Sequence, residues 1–354
     1  MDGNTPLTNY SDLVISRSIS NLGIGGICVT SCTFKTRDAM ETYGQCATVV
    51  LDPVGVGNVP TFYINKRTYS DGVWTVEALD RCAFLDRLAV TDEWSKIAPA
   101  TPTDTYTYAA GTLLTGLREQ CGFGNNSALP SALGNIPCDL IDGQNYQSIL
   151  SAIALAYCGS FCCLSGNVLS FVNYNYQGSQ TTLEAYSRLH DNGPFCYGAV
   201  KVTNGKASKT YTNLTAGVPC LEINNNFAKA DEGDTNNEPY KSYHALGYLH
   251  TGFRGWSIDK AVCTSSDVPY IGGYVQINST DYRITRVEAR FVGSKMMLSM
   301  GQDIPQMGEI ERRGLLQQKL DEAVSTQKKY KWLWTTYNGG IMVPTEDAEK
   351  GASS

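Results

Sequence analysis

Two runs of alternating apolar and polar residues, one on each side of an Asp-Gly pair, constrain the fold of this chain most. Residues 61–67 read TFYINKR, residues 73–78 read VWTVEA, and Tyr69-Ser70-Asp71-Gly72 lies between them. An Asp-Gly pair between alternating strands is a strong hairpin signal, because both residues tolerate the positive φ angles of a tight turn. We therefore predict an antiparallel β-sheet in this part of the chain.

The sequence around this hairpin extends the predicted sheet. Residues 13–24, 26–34 and 46–51 are further apolar runs, and the first two are interrupted by glycine. Asp80 lies just before the short apolar stretch that begins at Arg81, where its carboxylate is placed to cap a short helix. Residues 11–90 are thus predicted to be a compact β unit that ends in a helix.

The next part of the chain has a mixed character. Residues 91–104 hold two prolines among small polar residues, which is typical of a linker. Apolar residues then recur at helical spacing at 110–121 and again at 146–157, and Gly122 ends the first helix. A predicted hairpin turns at 165–167. Because residues 143–183 contain no charge, much of this small α+β unit should be buried.

Strand-like patterns return after residue 183 and continue to residue 303, which predicts a second β unit. Residues 308–334 are different: they are rich in charge and carry a thin apolar stripe. Such a stripe suits a partner groove or a trimer seam, although a solvated helix tethered at one end fits equally well. The predicted interface residues of this helix are Ile310, Leu316, Leu320, Val324 and Trp332.

Composition and charge narrow the possible functions. The 354 residues correspond to two or three domains at roughly 150 residues each. Charged residues make up 18 % of the chain, below the roughly 25 % of ordinary soluble domains, which suggests that neighbouring subunits cover much of the surface. A net charge of −6 argues against a phosphate-binding surface. We expect no signal peptide, no membrane span and synthesis in a cytoplasm.

Twelve cysteines suggest a disulfide or metal framework, but their spacing does not support one. No CxxC pair and no Cys–His pair with zinc spacing occurs. Most of the cysteines stand among apolar residues, as in 161–164 (FCCL). We predict reduced, buried thiols that behave as small apolar side chains, and neither a metal site nor a cofactor.

The sequence offers little for catalysis, and we predict that the chain is not an enzyme. GxxxxGK[ST], GxSxG and HExxH are all absent. The candidates that remain are three isolated histidines, two carboxylate pairs and one cysteine pair. Each of them is explained more simply by packing, capping or solubility. They are His190, His244 and His250; Asp80 with Asp86 and Glu309 with Glu311; and Cys162-Cys163.

Several segments resemble the tail hub proteins of phages. In that family an "FYI…R" strand pairs with a "TIT…YDR" strand that leads into a helix. Residues 61–67 match the first of these strands and residues 74–81 the second, with Leu79 in place of the usual aromatic residue. Further segments that resemble the family are 148–154, 159–161, 165–167, 169–171, 221–226, 282–288 and 291–293. The resemblance covers residues 10–303 in order, and no catalytic residue is transferred by it.

This resemblance implies a fold and an assembly. The expected fold is mainly β, with two tube-like β-barrel domains (1–90 and 183–303), a small α+β insertion between them (91–182) and a C-terminal helical extension (304–354). Family members form homotrimers whose six barrels bridge a sixfold tail tube and a threefold spike or fibre. The implied partners are the tail tube or distal tail ring, the spike or fibre protein and the tape measure protein, with DNA only as passing cargo and no membrane anchor.

We therefore expect a structural tail hub in a virion or tail-like particle, at the distal tail or baseplate. One alternative is the hub half of a type VI secretion spike, which would normally continue into an OB-like domain and a long β-prism. Another is a host-binding adhesin that binds carbohydrate, because the many Tyr and Trp residues could stack on sugars.

Overall fold

We analysed a computed structural model of the chain. All of the residues that it describes lie in the first of two compact units, Met1–Ile304 and Pro305–Ser354. The described residues are 9–19, 26–44, 47–49, 59–86, 107–109, 115–116, 118–124, 135–138, 141, 144–156, 159–173, 179–195, 198–203, 208–212, 220–225, 253–263, 267–292 and 295–303.

The described elements include one continuous α-helix, helical residues at 115–116 and 118–120, three short 3-10 turns and twenty-one strands. The helix, α1, is Tyr146–Ala156. The strands are β1 (Tyr10–Ser18), β2 (Ile27–Cys28), β3 (Thr30–Thr36), β4 (Thr48–Val49), β5 (Phe62–Ser70), β6 (Val73–Leu79), β7 (Thr107–Ala109), β8 (Asn135–Pro137), β9 (Gly159–Leu164), β10 (Val168–Asn173), β11 (Gln180–Thr181), β12 (Leu183–Tyr186), β13 (Leu189–Phe195), β14 (Ala199–Thr203), β15 (Ser208–Thr212), β16 (Cys220–Asn224), β17 (Phe253–Cys263), β18 (Tyr274–Ile277), β19 (Thr280–Arg283), β20 (Arg286–Val292) and β21 (Lys295–Gln302).

Ten of these strands form one large sheet in the order β12-β17-β21-β20-β1-β3-β6-β5-β4, with β13 also paired to β17. We call β1, β3, β4, β5 and β6 the N-terminal half-sheet, and β12, β13, β17, β20 and β21 the C-terminal half-sheet. The two meet where β1 pairs antiparallel with β20, and we call this ladder the seam. Strands from both predicted barrel domains therefore lie in one sheet.

The core lies against one face of this sheet, because alternate residues of each strand point to the same side. Leu13 and Ile15 of β1 and Phe34 of β3 are fully buried, as are their counterparts on β20 and β21. The intervening residues of these strands are partly exposed and mostly polar, with Val14, Val292 and Met297 as apolar exceptions. The alternation predicted for residues 13–34 is confirmed for the described strands β1 and β3.

The predicted hairpin is confirmed. Strands β5 and β6 pair antiparallel up to Ser70 opposite Val73, with a bulge between Ile64 and Lys66. Asp71 and Gly72 have φ angles of +53° and +77°, the left-handed conformation that a two-residue hairpin turn requires.

The predicted α+β character of the insertion (residues 91–182) is also confirmed. Helix α1 precedes the antiparallel hairpin of β9 and β10, whose turn is 165–167. Gly122 ends the preceding helical residues at a φ of +69°, and the N–H of Phe123 donates to the carbonyl of Arg118 at 2.9 Å, as in a Schellman cap.

Four smaller sheets complete the described fold. They are β10-β9-β2, β11-β18-β19, β15-β14-β16 and β7-β8. The parallel pairing of β2 with β9 connects the insertion to the N-terminal part of the chain. The fold is mainly β with an α+β insertion, as predicted. The division into domains stays a prediction, and the C-terminal helix lies outside the described residues.

Candidate functional site

The seam lies near the middle of the described ten-stranded sheet. Its ladder runs from Val14 opposite Arg290 to Ser18 opposite Arg286, and the N–H of Ile19 then donates to the carbonyl of Thr285 at 2.9 Å. Residues that are far apart in the sequence thus share one hydrogen-bonded ladder, which places the two half-sheets side by side.

The face of the sheet opposite the core is hydrophilic across the seam. Residues directly opposite in an antiparallel ladder point to the same side, so registered pairs trace this face from strand to strand. One row runs through Ser299, Glu288, Ser16 and Ser31 and reaches the apolar Leu79 on β6. Another includes Arg290, Val14, Thr33, Glu77 and Lys66. We call this surface the polar face.

Charges of both signs lie in ion pairs on or beside the polar face. Arg290 lies 3.3 Å from Glu288, and Lys35 lies 3.0 Å from Asp12. Arg286 lies 3.7 Å from Asp303, beyond the end of β21. Pairs as exposed as these add little stability, but they keep the local charge balanced. The surface is therefore polar without a strong field of either sign.

A buried polar junction lies at the end of the sheet nearest the insertion. Asp80 is fully buried: its Oδ2 accepts from the N–H of Thr30 at 2.8 Å and its Oδ1 from the N–H of Cys82 at 3.0 Å. Arg17 of β1 is also buried, and its Nη1 donates to the carbonyl of Pro269 at 3.4 Å. The predicted capping role of Asp80 is confirmed, for a short 3-10 turn over Arg81–Phe84.

Burial controls the ionisation of this junction. It raises the pKa of the Asp80 carboxyl to about 7, against the lowering effects of its hydrogen bonds and of the Arg17 charge. Burial likewise lowers the pKa of the Arg17 guanidinium. The site holds two groups whose charged forms are costly in this environment. Since the carboxyl is already engaged by two backbone N–H groups, it is suited to structure rather than to proton transfer.

The thiols near this junction are poor nucleophiles. The eight cysteines whose side chains the structure describes are free, so no disulfide links those eight. Burial raises the pKa of Cys162 to about 12, and the pKa of Cys28 and Cys32 is also raised by burial. Only the thiolate attacks an electrophile, and it is scarce at such values. Among the described residues, no cluster of His, Cys, Asp and Glu could hold a metal ion.

The insertion contacts the N-terminal half-sheet through Tyr63. The Tyr63 hydroxyl accepts from Nδ2 of Asn167 at 3.2 Å and from Nη2 of Arg81, whose guanidinium lies 5.0 Å from the centre of the Tyr63 ring. Nη1 of Arg81 also donates to the carbonyl of Cys121 at 2.8 Å. Arg81 therefore connects the end of β6 to the insertion at Cys121, and Tyr63 connects β5 to it at Asn167.

The insertion also contacts the part of the chain that leads into β18. Gly272 has a φ of +84°, and a Cβ placed on it would lie 2.0 Å from Cγ1 of Val172 in β10. Its N–H donates to the carbonyl of Ile284 at 2.8 Å, next to the seam. Nδ2 of the buried Asn225 donates to the carbonyl of Ala152 in α1 at 2.9 Å. The insertion thus packs against both ends of the chain.

A cluster of surface residues links strands β13 and β17 of the C-terminal half-sheet. Both oxygens of Asp191 in β13 accept from Arg254 in β17, at 2.6–2.9 Å, and Oδ2 also accepts from the Tyr282 hydroxyl at 2.9 Å. The hydrogen bonds from Arg254 lower the pKa of Asp191 to about 2. The Arg254 guanidinium lies 5.3 Å from the centre of the Tyr282 ring. The carboxylate is fully engaged, which fits a structural role.

Aromatic side chains lie at the opposite end of the sheet from the junction. Tyr10, Thr36, Trp74 and Tyr69 are opposite one another in successive ladders and share one row. Tyr69 is 59 % exposed, and its ring centre lies 4.9 Å from that of Trp74. We call Tyr10, Tyr69 and Trp74 the aromatic rim.

The structure separates the residues that the sequence suggested for catalysis. Asp80 is buried, whereas Asp86 is exposed, so their environments differ and they form no matched pair. His190 is exposed on β13, and Cys162 and Cys163 are buried. The remaining candidates lie outside the described residues: His244, His250, Glu309 and Glu311, and the predicted interface residues Ile310, Leu316, Leu320, Val324 and Trp332.

Sequence analysis missed the buried Arg17 and the Asp191–Arg254 pair. Arg17 follows Leu13 and Ile15 at every second position, so strand alternation places it on the core side. That signal was available in the sequence. The pairing of Asp191 with Arg254 joins residues 63 positions apart and leaves no local signature.

No protein-family model and no curated protein sequence matches the chain. Solved structures do match. The 43 kDa tail protein of prophage MuSo2 from Shewanella oneidensis has a TM-score of 0.51 at 10 % identity, covering 84 % of this chain and 97 % of that one. The prophage tail protein gp18 from Listeria monocytogenes EGD-e has a TM-score of 0.53 at 12 % identity, covering 86 % and 93 %. The chain has the fold of these phage tail proteins.

The similarity extends over nearly the whole length of both tail proteins, so it includes the half-sheets and the insertion together. At these identities the similarity establishes the tail-protein fold, and functional residues have to be argued from this chain. In the described residues, no helix is long and apolar enough to cross a membrane.

Proposed function

We propose that this chain is a structural protein of a phage tail or tail-like particle, and that it acts as a tail hub. The observation that supports this most is the tail-protein fold, built here around a sheet whose two halves meet at the seam. In this proposal residues 1–90 and 183–303 are the two tube-like domains, and residues 91–182 are the insertion between them.

Two half-sheets per chain suit a change of symmetry. Three copies arranged around an axis would present six half-sheets, which match a sixfold tube on one side. The same ring keeps threefold symmetry for a spike or fibre on the other side. The proposed assembly is thus a homotrimeric ring that adapts the tail tube or distal tail ring to a spike or fibre protein, with the tape measure protein as a further partner.

The polar face supports a role as the lining of a central channel. Its serine, threonine and ion-paired side chains hydrate well, and their balanced charges give no strong attraction for a phosphate backbone. DNA could pass such a surface as cargo without binding to it. The proposed location is the distal tail or baseplate of a particle that assembles in the bacterial cytoplasm.

The C-terminal extension has a separate part in the proposal. Its apolar stripe (Ile310, Leu316, Leu320 and Val324, with Trp332) would contact the spike or fibre protein. We propose no catalytic role for the chain, because each buried carboxyl or thiol that the structure describes is engaged in packing or hydrogen bonding.

The test is the mass and shape of the purified chain. Light scattering should give the mass of a trimer, and negative-stain class averages of the same peak should show a ring with six lobes around an opening. Addition of the tail tube protein should shift the peak further. A monomer that neither assembles nor binds tube or spike proteins at any concentration contradicts the proposal.

The aromatic rim favours a second candidate, an adhesin that binds host-surface carbohydrate. The exposed ring of Tyr69 beside Trp74 offers an apolar surface of the kind that stacks on sugar rings. A glycan array probed with the wild-type chain and with Tyr69→Ala distinguishes the two functions. Selective binding that the substitution abolishes supports the adhesin, and an empty array with a trimeric ring supports the hub.

A further inference from the structure

The two half-sheets meet through a single ladder in the part of the chain that the structure describes. That ladder, the seam, pairs β1 with β20 over five registered positions. The twist between neighbouring strands varies from roughly 10 to 35° among sheets. The angle between the two half-sheets therefore depends on contacts beyond this ladder, which are the core that they share and the contacts of the insertion.

The insertion provides such contacts on both sides of the seam. Toward the N-terminal half-sheet, Asn167 donates to the hydroxyl of Tyr63 at 3.2 Å. Toward the C-terminal half-sheet, Val172 packs directly on Gly272. The backbone of Gly272 is hydrogen-bonded to Ile284, and the N–H of the next residue, Thr285, donates to the carbonyl of Gly301 in β21 at 3.0 Å. Val172 is therefore connected to the C-terminal half-sheet through Gly272 and these two backbone hydrogen bonds.

We propose that the insertion is a brace that sets the angle between the two half-sheets, and that this angle determines whether the ring closes. The inference rests on the proposed trimer for its consequence, but the brace itself belongs to the single chain. If six half-sheets close a ring, neighbours are rotated by about 60°, and an error within each chain is repeated three times around the axis.

Gly272 allows the brace to be moved with a matched control. Gly272→Ala places a Cβ 2.0 Å from Cγ1 of Val172, so the insertion has to shift. Gly72→Ala is the control, because Gly72 has a similar φ of +77° in the β5–β6 turn and no atom within 4 Å of the added Cβ. The double variant Gly272→Ala/Val172→Ala removes the clashing methyl group and keeps the backbone strain at residue 272.

Two readouts are measured on each variant. Hydrogen exchange of the seam amides reports the brace in any oligomeric state, and light scattering across a dilution series reports ring closure. We expect Gly272→Ala to accelerate seam exchange about tenfold and to weaken the trimer about tenfold. The double variant should recover most of both effects, and Gly72→Ala should match the wild type at the seam and in assembly.

A second pair of variants covers the case in which Gly272→Ala fails to fold. Tyr63→Phe removes the hydroxyl that accepts from Asn167 of the insertion, whereas Asn65→Ala removes a bond of 3.1 Å to Glu77 within one half-sheet. Only the first should accelerate seam exchange. Wild-type seam exchange in Gly272→Ala or in Tyr63→Phe, or equal effects of test and control variants, would overturn the brace.

The readouts also separate this inference from the proposed function. A wild-type chain that stays monomeric, with faster seam exchange in Gly272→Ala, rejects the trimer and keeps the brace. A normal ring with unchanged seam exchange in Gly272→Ala keeps the hub and rejects the brace.

Discussion

Asp80 and Thr30 are hydrogen-bonded in both directions. The Asp80 carboxylate accepts from the N–H of Thr30 at 2.8 Å, and the N–H of Asp80 donates to the carbonyl of Thr30 at 2.9 Å. This double contact closes the end of β3 against the end of β6, where the chain turns toward the insertion. The same carboxylate caps the turn at Cys82. A single buried side chain thus fixes three backbone segments.

This buried carboxyl should make stability depend on pH. Burial raises its pKa from the ordinary 3.8 to about 7, so the folded state favours the protonated form. The stabilising contribution is fully present below pH 3.8 and is lost as the pH rises to about 7. Relative to Asp80→Asn, which does not titrate, the wild-type free energy of unfolding should fall by roughly 4 kcal/mol over this range. Urea unfolding across the range measures it.

The control for this prediction is Asp191→Asn. Because the pKa of Asp191 is lowered to about 2, the difference between this variant and the wild type should stay constant above about pH 5. If the free energies of unfolding of the wild type and Asp80→Asn also differ by a constant amount as the pH rises, Asp80 does not titrate in this range.

The contribution of the Asp191–Arg254 pair to stability should change with pH in the opposite direction, and at a lower pH. Its contribution is present above the unfolded pKa of 3.8 and is lost as the pH falls through about 2. The pair is a quarter to a third exposed, so solvent screening limits the coupling to about 1 kcal/mol. A double-mutant cycle of Asp191→Ala and Arg254→Ala at pH 7 measures this coupling, which should disappear near pH 2.

Lys35 and Asp12 provide the comparison for that cycle. Their ion pair has a similar distance of 3.0 Å, but both side chains are at least half exposed. The same cycle on this pair should give a coupling close to zero. Equal couplings for the two pairs would mean that the bidentate geometry of Arg254 adds nothing.

Gly159 should tolerate no side chain. A Cβ at this position would lie 2.3 Å from Cζ of Phe171 and 2.4 Å from the carbonyl oxygen of Val172, on the paired strand β10. Gly159→Ala should therefore destabilise the fold by about 2–3 kcal/mol. Gly44→Ala, which adds a Cβ with no atom within 4 Å, should change stability by less than about 1 kcal/mol. Thermal unfolding of both variants checks this, and an equal loss in both would contradict it.

Local patterns predicted the elements of this fold well. The Asp71-Gly72 turn, the capping by Asp80 and the helix followed by a hairpin at residues 146–173 all depend on neighbours in sequence, and the structure confirms all three. The seam could not be read in this way, because β1 and β20 are separated by most of the chain and a ladder leaves no periodic mark of its partner.

For the candidate site too, local patterns predicted individual residues, whereas long-range pairing could not be predicted. Strand alternation indicated which residues of β1 and β3 belong to the polar face, but the continuity of that face depends on the seam. The contact of Val172 with Gly272 joins residues 100 positions apart. A glycine at position 272 indicates only that the backbone there needs a close approach or an unusual φ. That Val172 is the neighbouring residue follows from the tertiary structure alone.

The C-terminal extension should be dispensable for folding but not for assembly. The chain divides into compact units after Ile304, so removal of residues 305–354 should leave the unfolding temperature of the rest unchanged. Particles assembled with the shortened chain should lose their spike or fibre, because the apolar stripe would be missing. Serine at Leu316, Leu320 and Val324 should reproduce this loss, whereas serine at Lys319, Lys328 and Lys329 should not. Electron microscopy of the particles measures spike occupancy, and full occupancy with the shortened chain would assign spike attachment to another surface.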